Sequence, residues 1–242
     1  MAGKAFIGTS GWNYDHWSGV FYPKGLASTE WLKYYDKYFS TVELNYSFYR
    51  LPDRENFEEW RSETSGGFTF AVKASRYLTH RKKLKDPEEP LSRIIGNARG
   101  LGEKLGPILY QLPPRWKVNI DRLREFLALL PTDVRHVMEF RDESWLVDEV
   151  FDLLREHSVG LCIMSAPGLP RIMKVTAPFV YIRMHSGGED TEGNYEEPQL
   201  EWWAEQVTNF LKDIDVYVYF NNDYKGFAVK NALRLKELVE GG

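Results

Sequence analysis

Short runs of strand-forming residues alternate with helical patterns along the whole chain. The eight strand-like runs lie at positions 5–9, 41–45, 68–73, 108–111, 134–141, 160–164, 179–185 and 216–221. Helical periodicity occupies positions 29–39, 54–64, 90–105, 120–130, 146–157, 199–212 and 227–239. Strands that alternate with helices pair in parallel through crossover connections. The pattern therefore predicts an α/β fold of the (β/α)8 TIM-barrel type.

The connection between the sixth and seventh strands departs from this alternation. Pro167, Gly168, Pro170 and Pro178 leave no room for a full helix, so we expect a shortened or irregular helix there. A length of 242 residues matches one barrel, which predicts a single domain over residues 1–242. An open, doubly wound parallel sheet is the alternative.

Composition limits the classes of function. With 43% hydrophobic and 27% charged residues, the chain can bury a full core. The net charge of −4 gives no general attraction for nucleic acid, so a polyanion site would need a local basic cluster. No run approaches 18 apolar residues, and the single Cys162 cannot form an internal disulfide. We therefore expect a cytoplasmic protein without a membrane partner.

Polar residues alternate with apolar ones toward the ends of the predicted strands. Residues i and i+2 share a face of a strand, and the apolar face packs on the helices, so the polar face points into the barrel. The inward set near the strand ends is Glu43, Asn45, Lys73, Gln111, Glu139, Arg141, Arg183, His185 and Asn221. Barrel enzymes assemble their sites at this end, which predicts a polar ligand pocket. The alternative is that Glu139–Arg141 and Glu43–Lys73 are ion pairs that only close the barrel mouth.

The loops after the first three strands carry aromatic and basic residues. Trp12 and Tyr46 offer flat apolar faces, and His80 lies in the basic run at positions 76–85. Aromatic faces stack on sugars or bases while cations neutralise phosphates, so these loops suit an anionic small molecule or single-stranded nucleic acid. The alternatives are aromatic plugs over the barrel and a solvated basic loop.

Several motifs in a fixed order carry a resemblance to a known family. They are Thr9-Ser-Gly-Trp12, Glu43-Leu-Asn45, Phe48-Tyr49, Phe70-Ala-Val-Lys73, Thr79-His80, Gln111-Leu-Pro-Pro114, Glu139-Phe-Arg141, Ser144-Trp145, Arg183-Met-His185 and Phe220-Asn-Asn222. From the first strand to the last helix the chain resembles the YecE-like proteins, the domain of unknown function family 72. The resemblance implies an α/β barrel. A distant similarity of that family to endonuclease IV-type barrels implies DNA binding or repair as a function to weigh.

Endonuclease IV-type chemistry needs a cluster of histidine and carboxylate ligands around metal ions. Among the five histidines only His185, with His16 and His80 in loops, could reach the pocket. With only two acids nearby, this set does not make a multinuclear zinc site, and the adjacent cations oppose a magnesium ion between Glu43 and Glu139. We expect no metal and no cofactor.

The leading hypothesis is an enzyme, of the phosphodiesterase or nuclease-like hydrolase type, that acts on a nucleic acid or a sugar phosphate. Its catalytic residues would be Glu43 or Glu139 as general base, His185 as acid or as an orienting group, and Lys73. The expected substrate-binding residues are Trp12, Asn45, Tyr46, His80, Gln111, Arg141, Arg183 and Asn221.

Other functions remain open at this point. A non-catalytic protein that binds single-stranded or damaged nucleic acid is the alternative, and a glycosidase-like hydrolase is a third. An imine on Lys73 is disfavoured because neighbouring acids are expected to pair with its ammonium group. The sequence leaves the oligomeric state open.

Overall fold

Eight parallel strands form one nearly closed barrel in the computed structural model, which describes residues 2–168 and 170–241. The strands are β1 Ala5–Thr9, β2 Thr41–Leu44, β3 Thr69–Lys73, β4 Leu105–Gln111, β5 His136–Glu139, β6 Gly160–Ser165, β7 Phe179–Met184 and β8 Asp215–Phe220. Their order around the barrel is β1-β8-β7-β6-β5-β4-β3-β2. The predicted TIM-barrel fold is confirmed.

Helices connect most of the strands. They are α1 Trp31–Tyr35, α2 Tyr46–Tyr49, α3 Arg54–Glu63, α4 Glu88–Ala98, α5 Ile120–Leu127, α6 Asp148–Glu156, α7 Glu197–Leu211 and α8 Phe227–Glu240. Between β6 and β7 the described residues contain no helix, which agrees with the expected irregular connection. Nowhere in the described chain is a helix both long and apolar enough to cross a membrane.

Several element boundaries differ from the sequence-based predictions. The helix predicted at 29–39 consists of a 3-10 turn, Ser28–Glu30, followed by the five residues of α1. The helix predicted at 90–105 ends at Ala98 and continues as a 3-10 segment in which Gly102 has φ 55°, a left-handed value that interrupts a helix. The strand predicted at 134–141 is only four residues long.

The strands separate two apolar layers. Between the strands and the helices lie residues such as Val42, Val72 and Ile182, whereas Leu109 and Val137 pack inside the barrel. Alternate residues of each strand therefore face opposite layers, as the period-2 pattern requires. This alternation brings the polar ends of the strands to one mouth of the barrel.

At the opposite mouth a basic residue packs on aromatic rings. The Arg135 guanidinium lies 5.6 Å from the ring centre of Phe179 and 5.7 Å from that of Tyr217. It also lies 3.1 Å from a carboxylate oxygen of Asp215. Arg135 therefore lies at the N-terminal mouth, where it lines a cavity of about 630 Å³ together with Asp133 and Tyr217.

The barrel closes between β1 and β2 without a regular ladder of hydrogen bonds. The two strands meet through the single bridge of Ser10 with Glu43. Beneath it the Tyr35 hydroxyl, from α1, accepts a hydrogen bond from the Thr9 N–H at 3.0 Å and donates one to the Thr41 carbonyl at 3.2 Å. A side chain thus takes the place of a missing strand contact.

Gly8 permits the close approach of the two strands at this seam. A Cβ atom at this position would lie 2.3 Å from the carbonyl oxygen of Thr41, well inside contact distance. Any larger residue would force the seam apart, so glycine is required by the approach of the neighbouring backbone.

Candidate functional site

Arg183 joins two acids at the base of the C-terminal mouth. Its side chain comes from β7 and is fully buried, as are Glu43 from β2 and Glu139 from β5. Nη2 donates to Glu43 Oε1 and Nη1 to Glu139 Oε2, both at 2.8 Å. One guanidinium therefore holds carboxylates from two separate strands in a buried network.

The Glu43 carboxylate is saturated by groups of the barrel interior. Ser10 Oγ donates to Oε1 at 2.5 Å, and the Tyr181 hydroxyl donates to Oε2 at 2.6 Å. Burial raises the pKa of Glu43, but the Arg183 and Lys73 charges more than offset this, so its pKa lies below the usual value. Glu43 is therefore a buried anion whose oxygens are already hydrogen-bonded.

Glu139 is held in the same way. Gln111 Nε2 donates to its Oε1 at 2.7 Å, and Arg141 Nε donates to the same oxygen. Burial raises the pKa of Glu139, but Arg183 and Arg141 together hold it well below its usual range. The expected Glu139–Arg141 ion pair is thus present, as part of a larger network.

Lys73 stands apart from this network. Its side chain is only 6% exposed, and Nζ lies 4.2 Å from the centre of the Phe48 ring. Among the described residues no carboxylate oxygen lies within 4.0 Å of Nζ, so the expected Glu43–Lys73 ion pair does not form. Burial and the nearby Arg183 lower the pKa of Lys73 to about 8.

His185 lies beside Arg141 at the upper edge of the network. Arg141 Nη2 is 2.8 Å from His185 Nε2, and because a guanidinium only donates, Nε2 is the acceptor. The ring proton is then on Nδ1, which lies 3.2 Å from the side-chain amide of Asn221. With that amide turned by 180°, its oxygen accepts a hydrogen bond from Nδ1. Burial lowers the pKa of His185, so the ring is a neutral imidazole near pH 7.

A cavity of about 420 Å³ adjoins this network on the side of β1 and β2. Trp12, Asn45, Tyr46 and Tyr49 line it, and the Trp12 ring rests edge-on against Trp60. The Asn45 Oδ1 atom is buried and has no hydrogen-bond partner in the described structure. An acceptor left unmet at a cavity wall is available to a ligand donor.

His80 belongs to a π-helical turn, Tyr77–Arg81, after β3. Thr79 Oγ1 lies 3.0 Å from its Nδ1, and its ring packs edge-on against Phe48 at 5.1 Å. His80 thus backs the same Phe48 ring that lies under the Lys73 amine. Burial together with Lys73 and Arg76 lowers the pKa of His80.

The predicted residues converge on this mouth, but in two layers. Glu43, Glu139 and Arg183 form a sealed lower layer. The upper layer, the partly accessible side chains above it, consists of Asn45, Lys73, Gln111, Arg141, His185 and Asn221, with Trp12, Tyr46 and His80 around it.

Sequence reasoning missed three contributors. Ser10 and Tyr181 both bind Glu43, and Phe48 lies under Lys73. The inward position of Tyr181 was readable from the strand alternation, and Phe48 lies in a quoted motif. The role of Ser10 depends on the irregular β1–β2 seam, for which the sequence carries no signal.

The described residues of this mouth contain no cluster of metal ligands. Over residues 2–168 and 170–241, no group of three or more His, Cys, Asp or Glu side chains is arranged to hold an ion. The two acids at the centre already bind a guanidinium. The absence of a metal and a cofactor remains a prediction.

The chain matches a known family over almost its whole length. The model of the family described as "Protein of unknown function DUF72" matches residues 6–242. The UPF0759 protein YunF of Bacillus subtilis (strain 168) is 27% identical over 270 residues, covering 97% of this chain and 94% of that protein.

Solved structures give the same result. A DUF72 family protein (TM1631) from Thermotoga maritima is 31% identical, with a TM-score of 0.88 over 98% of this chain and 99% of that one. A second DUF72 family protein (EF0366), from Enterococcus faecalis, is 20% identical with a TM-score of 0.84 over 98% and 95% of the two chains. The second likeness supports the fold alone.

Proposed function

The chain belongs to the family described as protein of unknown function DUF72, and from its own site we propose that it is an enzyme acting on a phosphate-bearing compound. The substrate class is a sugar phosphate or a nucleic-acid strand, bound at the C-terminal mouth of the barrel.

The charge arrangement of the mouth carries this proposal. Both acids lie in the sealed lower layer, whereas Lys73 and Arg141 lie above it. Within residues 2–168 and 170–241 Lys73 has no carboxylate partner, and only part of the Arg141 guanidinium is used, by Glu139 and His185. The accessible part of the site is therefore cationic in a weakly hydrated setting, where a phosphate dianion is the complementary ligand.

The network assigns different roles to its members. Lys73 and Arg141 bind the phosphate. When the Arg141 guanidinium turns to the phosphate, it releases the Nε2 lone pair of the neutral His185, and this nitrogen accepts the proton of the attacking water. Water attacks phosphorus, the P–O ester bond breaks, and the Lys73 ammonium gives its proton to the leaving oxygen. Glu43, Glu139 and Arg183 are positioning residues, since their fully buried side chains hold the layer that carries the reacting groups.

A panel of phosphorylated sugars and short oligonucleotides tests this function. We expect at least one compound to raise the melting temperature and to be hydrolysed. Lys73→Met should weaken its binding, whereas His185→Gln should lower kcat by at least 100-fold with little change in binding. His157→Gln, at the end of α6, is the control and should behave as wild type. If no phosphorylated compound stabilises the protein, the proposal is wrong.

A non-catalytic nucleic-acid-binding protein is the second candidate. It is favoured by three exposed rings beside the mouth: Tyr46, Tyr49 and Tyr77 are 58%, 69% and 49% exposed. Exposed aromatic rings stack on unpaired bases. Salt-dependent oligonucleotide binding that Tyr49→Ala weakens about 5-fold or more, with no turnover in the wild type, would favour this candidate over the enzyme.

A further inference from the structure

Four arginines line a second cavity next to the candidate site. The cavity has a volume of about 450 Å³, and we call it the arginine pocket after Arg50, Arg76, Arg81 and Arg93. These residues come from three parts of the chain: the end of α2, the π-helical turn and α4. Phe48 and Tyr49 also line it, and the same two rings contact Lys73 and the cavity beside Asn45. The two sites therefore share a wall.

None of these four guanidinium groups has a protein partner in the described ranges. No carboxylate lies within 4.0 Å of any of them, and none makes a side-chain hydrogen bond. Other surface arginines do pair, such as Arg99 with Asp133 at 2.8 Å. Like charges gathered without partners repel one another, so a bound anion stabilises the group.

The two acids in the pocket are placed at the starts of helices. The Asp53 side chain caps α3 by accepting the backbone N–H of Asn56, and Glu89 lies in the first turn of α4. Each negative charge is matched by the partial positive charge of a helix N-terminus. Neither acid lies within 4.0 Å of the four guanidinium groups, so in the described ranges neither forms an ion pair with them.

We propose that the arginine pocket binds a second phosphate group of the substrate, so that the substrate carries two separated phosphates. The guanidinium fork matches phosphate oxygens in pairs, and four such groups from three elements line this one cavity. The volume is that of a small-molecule subsite. This inference rests on the proposed function, in which Lys73 and Arg141 bind the first phosphate.

Calorimetry with inorganic phosphate and with α,ω-alkanediol bisphosphates of increasing length tests the inference. For the linker length that spans both sites, the bisphosphate should bind at least 10-fold tighter than inorganic phosphate, because its second phosphate binds intramolecularly. Arg81→Gln combined with Arg93→Gln should remove this gain, and so should Lys73→Met combined with Arg141→Gln. The charge-matched control is Arg124→Gln with Lys230→Gln, two exposed residues on α5 and α8, which should retain it.

The outcomes separate the two proposals. Loss of bisphosphate binding in both site variants, with the control unchanged, supports the inference. An effect of the Lys73 and Arg141 variant alone supports the first phosphate site and overturns the second. If only the arginine-pocket variant weakens phosphate binding, and the bisphosphate binds no tighter than inorganic phosphate, then one substrate does not span both sites. That result also overturns the proposed function of the mouth. If the control variant loses as much bisphosphate affinity as the arginine-pocket variant, the bisphosphate is held only by the general charge of the surface, and the inference is overturned. A dinucleotide with a 5′-phosphate, run beside the alkanediol series, shows whether the two phosphates belong to a nucleic-acid strand.

Discussion

Arg183 supplies the main counter-charge for two buried carboxylates. We expect Arg183→Met to lower the free energy of unfolding at pH 7 by about 3–5 kcal/mol, because removal of one partner leaves Glu43 and Glu139 as uncompensated buried charges. Urea unfolding at constant ionic strength measures this.

The neutralised network is the control for that prediction. The triple variant Arg183→Met, Glu43→Gln, Glu139→Gln removes both buried carboxylates together with their guanidinium partner and should regain at least half of the lost stability. At pH 5 the single variant Arg183→Met should lose less unfolding free energy than at pH 7, because carboxyls without a guanidinium partner begin to protonate there. Equal stability of Arg183→Met and wild type at pH 7 would contradict the role given to Arg183.

Lys73 should make anion binding depend on pH. Because burial lowers its pKa to about 8, the ammonium form present at pH 7 is lost as the pH rises through that value. Sulfate stays a dianion over this range, so only the charge of Lys73 changes. The affinity for sulfate should therefore fall about 10-fold between pH 8 and 9.5. Calorimetry at fixed ionic strength measures the effect. Lys73→Met should bind weakly and without this pH dependence, whereas the exposed Lys230→Met should match wild type. A flat wild-type profile would show that Lys73 does not bind the anion.

Strand alternation predicted which polar residues point inward, but not which of them would pair. The alternative interpretation paired Glu43 with Lys73, on the adjacent strand, but Glu43 binds Arg183 instead. Alternation gives the face of a residue, whereas pairing depends on side-chain height and reach across the barrel. This correction removes the ground on which an imine at Lys73 was disfavoured.

The β1–β2 seam is the element that most clearly depends on one side chain. We expect Tyr35→Phe to lower the free energy of unfolding by about 1–3 kcal/mol, since it leaves the buried Thr9 N–H and Thr41 carbonyl without the hydroxyl. Hydrogen exchange at the Thr9 amide should become faster. Tyr34→Phe, which removes a hydroxyl bonded only to Tyr38 at the surface, should change stability by less than about 0.5 kcal/mol. Unchanged protection of Thr9 would show that the seam does not depend on Tyr35.

Helix ends were predictable where capping or helix-breaking residues flank the helical pattern, as Asp53 and Gly66 flank α3. The predicted α3 and α8 lie within one residue of their observed ends, whereas the π-helical turn after β3 has no apolar period and was taken as a loop. The start of β4 was assigned to a helix, because Leu101 and Leu105 continue the helical spacing past Gly102. Local backbone conformation at a glycine decided that boundary.

At the scale of the whole molecule, alternation of strands and helices was enough to predict the barrel. Its closure was not predictable, because the β1–β2 contact depends on a tyrosine from α1 and on backbone approach at Gly8. The arginine pocket was not predictable from the sequence either. Its four arginines are spread over more than forty positions, and only the fold brings them together. A basic run was visible at 76–85, but Arg50 and Arg93 lie outside it.

The stability of the whole barrel should fall as the pH drops from 6.5 to 4.5, because a buried histidine stays neutral in the folded chain. Burial lowers the pKa of His136 to about 4, so below pH 6.5 the unfolded chain takes up a proton that the folded chain does not. His136 alone should lower the free energy of unfolding by about 2–3 kcal/mol at pH 4. Glu43 and Glu139 have lowered pKa values, so their contribution to stability is lost only at lower pH. Urea unfolding at half-unit pH steps should therefore give a shallower slope for His136→Gln than for wild type. Met138→Leu, a buried change on the same strand face without a titrating group, should keep the wild-type slope, and a slope unchanged in His136→Gln would contradict the assignment.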